Sequence, residues 1–268
     1  MRFGLHAANF GAFADPGEVA TLAQTAEAAG WDGFFVWDHV VRLEGDFPLA
    51  DPWIELAVIA AATSRLRIGP LITPLSRRRP WNVARQVATL DHLSGGRVVL
   101  GIGLGVTRGP ELNNFSEETD PATRGDMLDE GIDILRQAWT GEPVEHAGAH
   151  YRVDSVRFVP PPVQGAGLPI WAATERTDGR PVRRAAALDG IFPFGLGPAD
   201  LPALLANVAR HRPQGLGGFE VVAGGTDDWA AWQDAGATWW LRVLPWRAPL
   251  AESMEIAAAG PPERSTSI

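Results

Sequence analysis

An eight-stranded (β/α)8 TIM barrel is the fold class this α/β sequence predicts, and three observations predict it. Strand-like runs alternate with helical patterns along the whole chain, eight of each. The unit from Arg65 to Gly105 reads strand, helix, strand, at about the length a parallel crossover needs. No Gly-x-Gly-x-x-Gly opens a helix after the first strand, which leaves a doubly wound open sheet as the runner-up. The 268 residues suit one such barrel and show no linker. Residues 1 to 260 are read as a single domain, and 261 to 268 as a disordered tail.

The elements follow in order. Phe3 to His6 is a short first strand that begins almost at Met1, with no leader before it. Glu18 to Ala29 is an amphipathic helix, with Val19, Leu22, Ala23 and Ala26 at helical spacing and Gly30 as its stop. Gly33 to Trp37 is a continuous apolar run, as a strand buried on both faces requires. Asp51 caps a helix that starts at Pro52 and ends near Ala62. Leu66 to Ile72 and Arg97 to Gly101 are strands, with a helix from Pro80 to Leu93 between them.

After the fourth strand the connection is elaborated. It holds a helix from Pro121 to Trp139, a small hairpin from His146 to Arg157 and the stiff run Pro160 to Pro162. Strands then resume at Leu168 to Ala172, Asp189 to Phe194, Phe219 to Ala223 and Thr238 to Leu244. Helices separate them at Pro181 to Leu188, Asp200 to Arg210 and Asp227 to Ala235, and Pro249 to Ala259 is the last.

Composition excludes several functions. Cysteine is absent, which removes disulfides, thiolate catalysis and cysteine zinc sites. Lysine is also absent, so all 23 basic residues are arginine; imine-forming catalysis and a Walker-type phosphate loop are excluded. A net charge of −9 argues against nucleic-acid and anionic-membrane surfaces, and no apolar run approaches a membrane span. A cytoplasmic enzyme is the expectation. Eleven tryptophans fit a deep aromatic pocket, a subunit interface or large core fillers.

Strand ends carry the candidate chemistry, because parallel strands present ligands at their carboxyl ends. His39 follows the second strand, and imidazole is the side chain that exchanges protons near neutrality. Asp38 and His39 are the candidate catalytic pair, with Asp38 orienting the loop or the ring; the alternative is a histidine that caps the loop through Asp38. His6 ends the first strand and is assigned to the substrate pocket, with a backbone-bonded core histidine as the alternative. Phe10, Phe13, Trp37, Phe47, Trp53 and Phe194 are the aromatic wall of that pocket.

Gly69 with Pro70, and Gly101, Gly103 and Gly105, allow a planar ring or a phosphate to lie against bare backbone. Thr174 to Pro181 includes hydroxyls and Arg180 at a helix start, a phosphate cradle with Thr174, Thr177 and Arg180 as its donors. Arg77, Arg78 and Arg79 read as a solvated helix entrance. Asp129, Glu130 and Asp133 read as surface partners of Arg124 and Arg136. His146, His150 and His211 show no metal-ligand spacing, and no metal is expected.

Several separated stretches together resemble the luciferase-like monooxygenase family. They are Ala28 to Gly33, Trp37 to His39, Asp51 to Trp53, Arg65 to Gly105, Arg124 with Leu128 to Glu130, Trp139 to Pro143, Pro169 to Trp171, and Arg183 to Ala186 with Asp189 and Gly190. The resemblance covers roughly residues 1 to 195. It implies a TIM barrel oxidoreductase or monooxygenase that binds reduced FMN or the deazaflavin coenzyme F-420, with His39 facing the cofactor's reactive centre.

It further implies that Gly69, Pro70, Leu71 and Thr73 form a bulge beneath the ring, with a non-proline cis peptide near Pro70 and Leu71. Gly103, Leu104, Gly105 and Val106 then contact the cofactor through backbone, and Ala172 and Ala173 stand where other members have paired glycines. Leu104 also lacks the acid that members oxidising sugar phosphates use, which points to an apolar substrate. Implied partners are a small-molecule substrate, a flavin reductase supplying reduced cofactor, and a second copy of the chain. A flavin-binding barrel serving storage or sensing is the alternative, and a cofactor-free isomerase or aldolase ranks last.

Overall fold

The computed structural model describes residues 1–42, 47–106, 109–225 and 228–262. Most of the expected tail, 263–268, and the expected helix start at Asp227 lie outside the described residues. The barrel strands are β1 (Arg2–Ala7), β2 (Gly33–Val36), β3 (Arg67–Pro70), β4 (Thr73–Pro74) and β5 (Leu100–Gly103). A two-stranded hairpin, β6 (Pro143–Ala147) and β7 (Arg152–Arg157), stands apart. β8 (Ile170–Thr174), β9 (Gly190–Pro193), β10 (Glu220–Gly225) and β11 (Trp239–Val243) complete the sheet.

All neighbours in the large sheet are parallel, in the order β3-β2-β1-β11-β10-β9-β8-β5-β4. The circle closes through a parallel bridge between Ile68 and Val98, with Val99 N–H donating to Ile68 O at 2.9 Å. β3 and β4 are two halves of one stave. The first half pairs with β2 and the second with β5. The break falls at Leu71-Ile72, a cis peptide one residue beyond the expected place. Eight staves result, and the fold is the expected TIM barrel.

The helices α1 (Pro16–Ala28), α2 (Pro52–Ala62), α3 (Pro80–Ser94), α4 (Pro110–Asn113), α5 (Pro121–Ala138), α6 (Arg180–Ala186), α7 (Leu201–Arg210), α8 (Trp229–Asp234) and α9 (Leu250–Ala259) connect the staves. Three of them open on the same Asp-Pro device. Asp15, Asp51 and Asp120 each accept backbone N–H bonds from the first turn, and a proline follows where no donor is needed. Arg97 ties the lower ends of α2 and α3 together, donating to the carbonyls of Ala60, Thr63, Leu66 and Ser94.

Alternate strand residues face in and out. Phe35, Leu71, Val99, Trp171, Phe192, Val222, Trp239 and Leu241 fill the barrel, and the other set packs under the helices. The amino-terminal end is closed by the Arg2 guanidinium, 4.6 Å above the Trp239 ring and ion-paired to Glu220. Toward the carboxyl ends the inward residues become small (Gly103, Ala173, Gly224). The layered core therefore stops short of that mouth, which leaves the site its place.

The acids of α5 find other partners than those expected. Asp129 pairs with Arg180 and Arg184, Glu130 and Asp133 flank His146, and Arg136 reaches Asp189. The reason is helical register: Arg124 lies on the buried face with Leu128, Gly131 and Leu135. The acidic stripe instead meets α6 and the hairpin, whose turn it holds through amides of Ala149, His150 and Tyr151 donating to Glu130.

Candidate active site

The loop after β2 is fixed by charge. Asp38 is buried, and its carboxylate accepts from Thr73 Oγ1 at 2.9 Å, Arg77 Nη2 at 2.8 Å, and Arg78 Nε and Nη2 at 2.9 and 2.7 Å. Arg77 and Arg78 are therefore not a solvated entrance: a 3-10 turn at Leu75–Arg77 folds them back beneath the loop. Thr73 spends its hydroxyl on Asp38 rather than on the mouth. Trp53 lies under Arg78 at 5.9 Å and touches this clamp.

His39 is held at both its backbone and its ring. Asn9, wholly buried, donates to His39 O at 2.8 Å and accepts from His39 N at 3.2 Å. His39 Nδ1 lies 3.1 Å from Glu111 Oε1. An ionised carboxylate only accepts, so Nδ1 carries the proton and donates it. Phe10 and Trp37 meet the imidazole edge to face at 5.7 and 5.9 Å. Its Nε2 has no hydrogen-bond partner among the described residues.

Burial alone would raise the Glu111 carboxyl. The hydrogen bond from His39, the charge of Arg77 and the Val40 amide outweigh it and hold that carboxyl down at about 2. Arg77 Nη1 sits 2.9 Å from Glu111 Oε2 outside hydrogen-bond alignment, so the contact is an ion pair. Asn9 and Glu111 were not singled out from sequence. No helix is expected between Gly105 and Pro121, and nothing local marks Glu111 or Asn9.

His6 stands across the mouth. Its Nε2–H donates to Leu71 O at 2.7 Å, and Trp37 and Phe192 cover its ring. Burial, only partly offset by that bond, lowers its pKa to about 4, so it is neutral. Phe10, Trp37, Trp246 and Phe47 continue the aromatic wall, while Phe194 is 57% exposed at the rim beside Phe192. Phe13 is buried in the core beneath.

The glycine ledge differs from its expected use. A Cβ on Gly69 would stand 1.8 Å from Val99 O, and one on Gly101 2.5 Å from Pro70 O. Those glycines admit neighbouring backbone rather than a ligand. Gly103 is roomier, with Ile72 and Ala173 side chains at 3.1 and 3.2 Å from its virtual Cβ. Gly105 has φ +72° and backs onto Pro74. Leu71 is buried in the barrel, Leu104 packs against the outer core, and Val106 is exposed. Ala172 points outward under the helices and Ala173 inward.

After β8, Thr174 Oγ1 donates to Arg176 O and closes its own loop, and Thr177 O accepts from Asn207. Arg180 is bound to Asp126 and Asp129, so its charge is already neutralised. Arg124 offers what Arg180 does not. It is 1% exposed, bonds only to Val106 O and weakly to Ser76 Oγ, and meets no carboxylate at ion-pair distance among the described residues.

The comparisons with known proteins bear on the family and the fold. A model of the luciferase-like monooxygenase family matches residues 1–266. Protein y4wF of Sinorhizobium fredii is 32% identical over 192 residues, covering 72% of this chain and 54% of that protein. An F420-dependent glucose-6-phosphate dehydrogenase of Nakamurella multipartita is 32% identical over 221 residues, 78% of this chain and 62% of that protein. The chain thus spans between about half and two thirds of the length of these relatives. The coenzyme F420 dependent tetrahydromethanopterin reductase of Methanopyrus kandleri superposes with a TM-score of 0.78 over 97% of this chain and 98% of its own, at 16% identity, so fold outlasts sequence. The family match leaves no stave of the barrel outside it, and this chain belongs to the luciferase-like monooxygenase family.

Proposed function

We propose that the chain is an oxidoreductase that holds reduced flavin or the deazaflavin F-420 at the carboxyl mouth of the barrel and acts on a small, largely apolar substrate. The observation that carries this is His39: a ring fixed through Nδ1 among aromatic walls, with Nε2 unbonded among the described residues. Such a group takes or gives one proton at Nε2.

The residues present suit a flat heterocycle with an anionic tail. Gly103, Ala173 and Ile72 leave low relief at the mouth, and Trp37 Nε1 is a buried donor with no acceptor among the described residues. Arg124 is a buried cation without a carboxylate partner among the described residues, suited to phosphate or carboxylate. Bound there, the pigment supplies hydride or electron transfer to or from the substrate. The chain supplies position, a dry aromatic wall and the proton at His39.

F-420 is favoured over FMN, because the relative above named for a cofactor and the superposed reductase both carry that name. A sugar phosphate is disfavoured: Leu104 is apolar where members that oxidise sugar phosphates use an acid. A second copy of the chain and, for flavin, a reductase that recharges it complete the proposed partners, in the cytoplasm.

Titrating each pigment into the protein while reading tryptophan fluorescence tests the proposal. Quenching with saturation by one pigment, abolished in Arg124→Met, is the expected result. A protein that binds neither pigment ends it.

A further inference from the structure

We propose that Glu111 is a positioning residue for His39: its carboxylate holds the imidazole in the Nδ1–H form, so that the Nε2 lone pair faces the mouth, and Arg77 is the shared counter-cation. The proposal rests on the His39 reading above and names what sets that ring's tautomer.

A histidine's protonated nitrogen is chosen by what its other nitrogen bonds to. Here the choice is constrained from three sides. Glu111 Oε1 takes His39 Nδ1–H at 3.1 Å and Val40 N–H at 2.7 Å, so the carboxylate cannot shift without losing a backbone bond. Asn9 pins His39 at N and O. Phe10 and Trp37 flank the ring edge to face at 5.7 and 5.9 Å.

The charges around the ring explain why Glu111 dominates. Asp38, the preceding residue, is matched by the two-point contact of Arg78 and by Arg77. Arg77 is shared between Asp38 and Glu111, at 2.8 and 2.9 Å. Arg42 lies across the Phe10 ring at 4.7 Å, and His6, behind Trp37, is neutral. Among the described residues Glu111 is thus the one carboxylate in direct contact with the imidazole. Its own pKa is held at about 2, so it is ionised and can only accept from the ring.

The test uses the full chain, labelled with 15N-histidine and free of pigment. Long-range 1H–15N spectra report tautomer and titration for each imidazole, and His39→Gln assigns the relevant signal. The expected wild-type signal has a protonated Nδ1 and a bare Nε2. Glu111→Gln, whose amide can donate as well as accept, should erase that preference, while Glu111→Asp keeps the charge and most of the effect. A wild-type His39 whose neutral form is protonated at Nε2 overturns the proposal even if no variant folds. A folded Glu111→Gln protein with unchanged tautomer overturns it too. Because no pigment enters the experiment, failure of pigment binding would remove the proposed function and leave this result standing.

Discussion

Arg78 forks onto Asp38, with Nε 2.9 Å from Oδ2 and Nη2 2.7 Å from Oδ1, and the contact lies almost entirely inside the protein. A planar guanidinium meets a carboxylate in this way and an ammonium does not. Breaking a buried pair from one side leaves an uncompensated charge, which costs about 3–5 kcal/mol. Asp38→Asn, which keeps the volume, should lose about that much in urea unfolding, and Arg78→Lys part of it. A loss of under about 1 kcal/mol for Asp38→Asn would show that the clamp is not what holds the loop of His39.

Two glycines on neighbouring staves should respond differently. Gly69→Ala drives a methyl into the Val99 carbonyl, 1.8 Å from the ideal Cβ, so β3 and β5 must part. That substitution should lower the melting temperature sharply or prevent folding, as overpacking against backbone does. Gly103→Ala meets only side chains, Ile72 and Ala173, at 3.1 and 3.2 Å. It should melt within a few degrees of the parent and bind the pigment less tightly, because it raises the floor of the mouth. Equal melting losses in the two variants would contradict this division.

The barrel was legible because its signal is local. Apolar runs such as Gly33 to Val36 and the Asp51-Pro52 start fix elements within a few residues. The break in the third stave was legible as a bulge in the run Gly69 to Pro74, displaced by one residue. The partners of the site were not. Glu111 meets His39 across 72 positions and Arg78 meets Asp38 across 40, and no periodicity links such pairs. Arg180 illustrates the reverse. Its place at a helix start suggested an anion, but α5 had already brought Asp126 and Asp129 to it. Gly69 fits a ligand or a close strand equally well until the barrel closes and Val99 fills the space.

His6 should make the protein acid-sensitive. Its pKa is about 4 when folded and near 6.5 when free, because the buried ring must stay neutral while it donates to Leu71 O. The unfolded chain therefore binds more protons between those values, and stability falls as pH drops from about 6.5 to about 4. His6→Gln keeps a donor and cannot titrate. Denaturation of both proteins at pH 7 and pH 4.5 should show the variant losing less on acidification, by up to about 3 kcal/mol. Parallel losses would mean that His6 is protonated in the folded state.

Glu55 pulls in the opposite direction. It lies one turn into α2, fully buried, with neither carboxyl oxygen hydrogen-bonded among the described residues, and burial together with the Asp51 charge raises its pKa to about 8. The unfolded value is 4.5, so between 4.5 and about 8 the folded chain holds a proton that the unfolded chain has released. Stability then declines as pH rises through that window, by roughly 1.4 kcal/mol per pH unit where the difference is complete, and levels off above it. Glu55→Gln stays neutral throughout. It should match the parent near pH 4.5 and exceed it increasingly toward pH 8.5 in urea midpoints. With His6 weakening the acid side and Glu55 the alkaline side, the parent should be most stable at mildly acidic pH, and His6→Gln/Glu55→Gln should flatten the curve from both ends. A double variant with the parent's full pH dependence would place the titrating groups elsewhere.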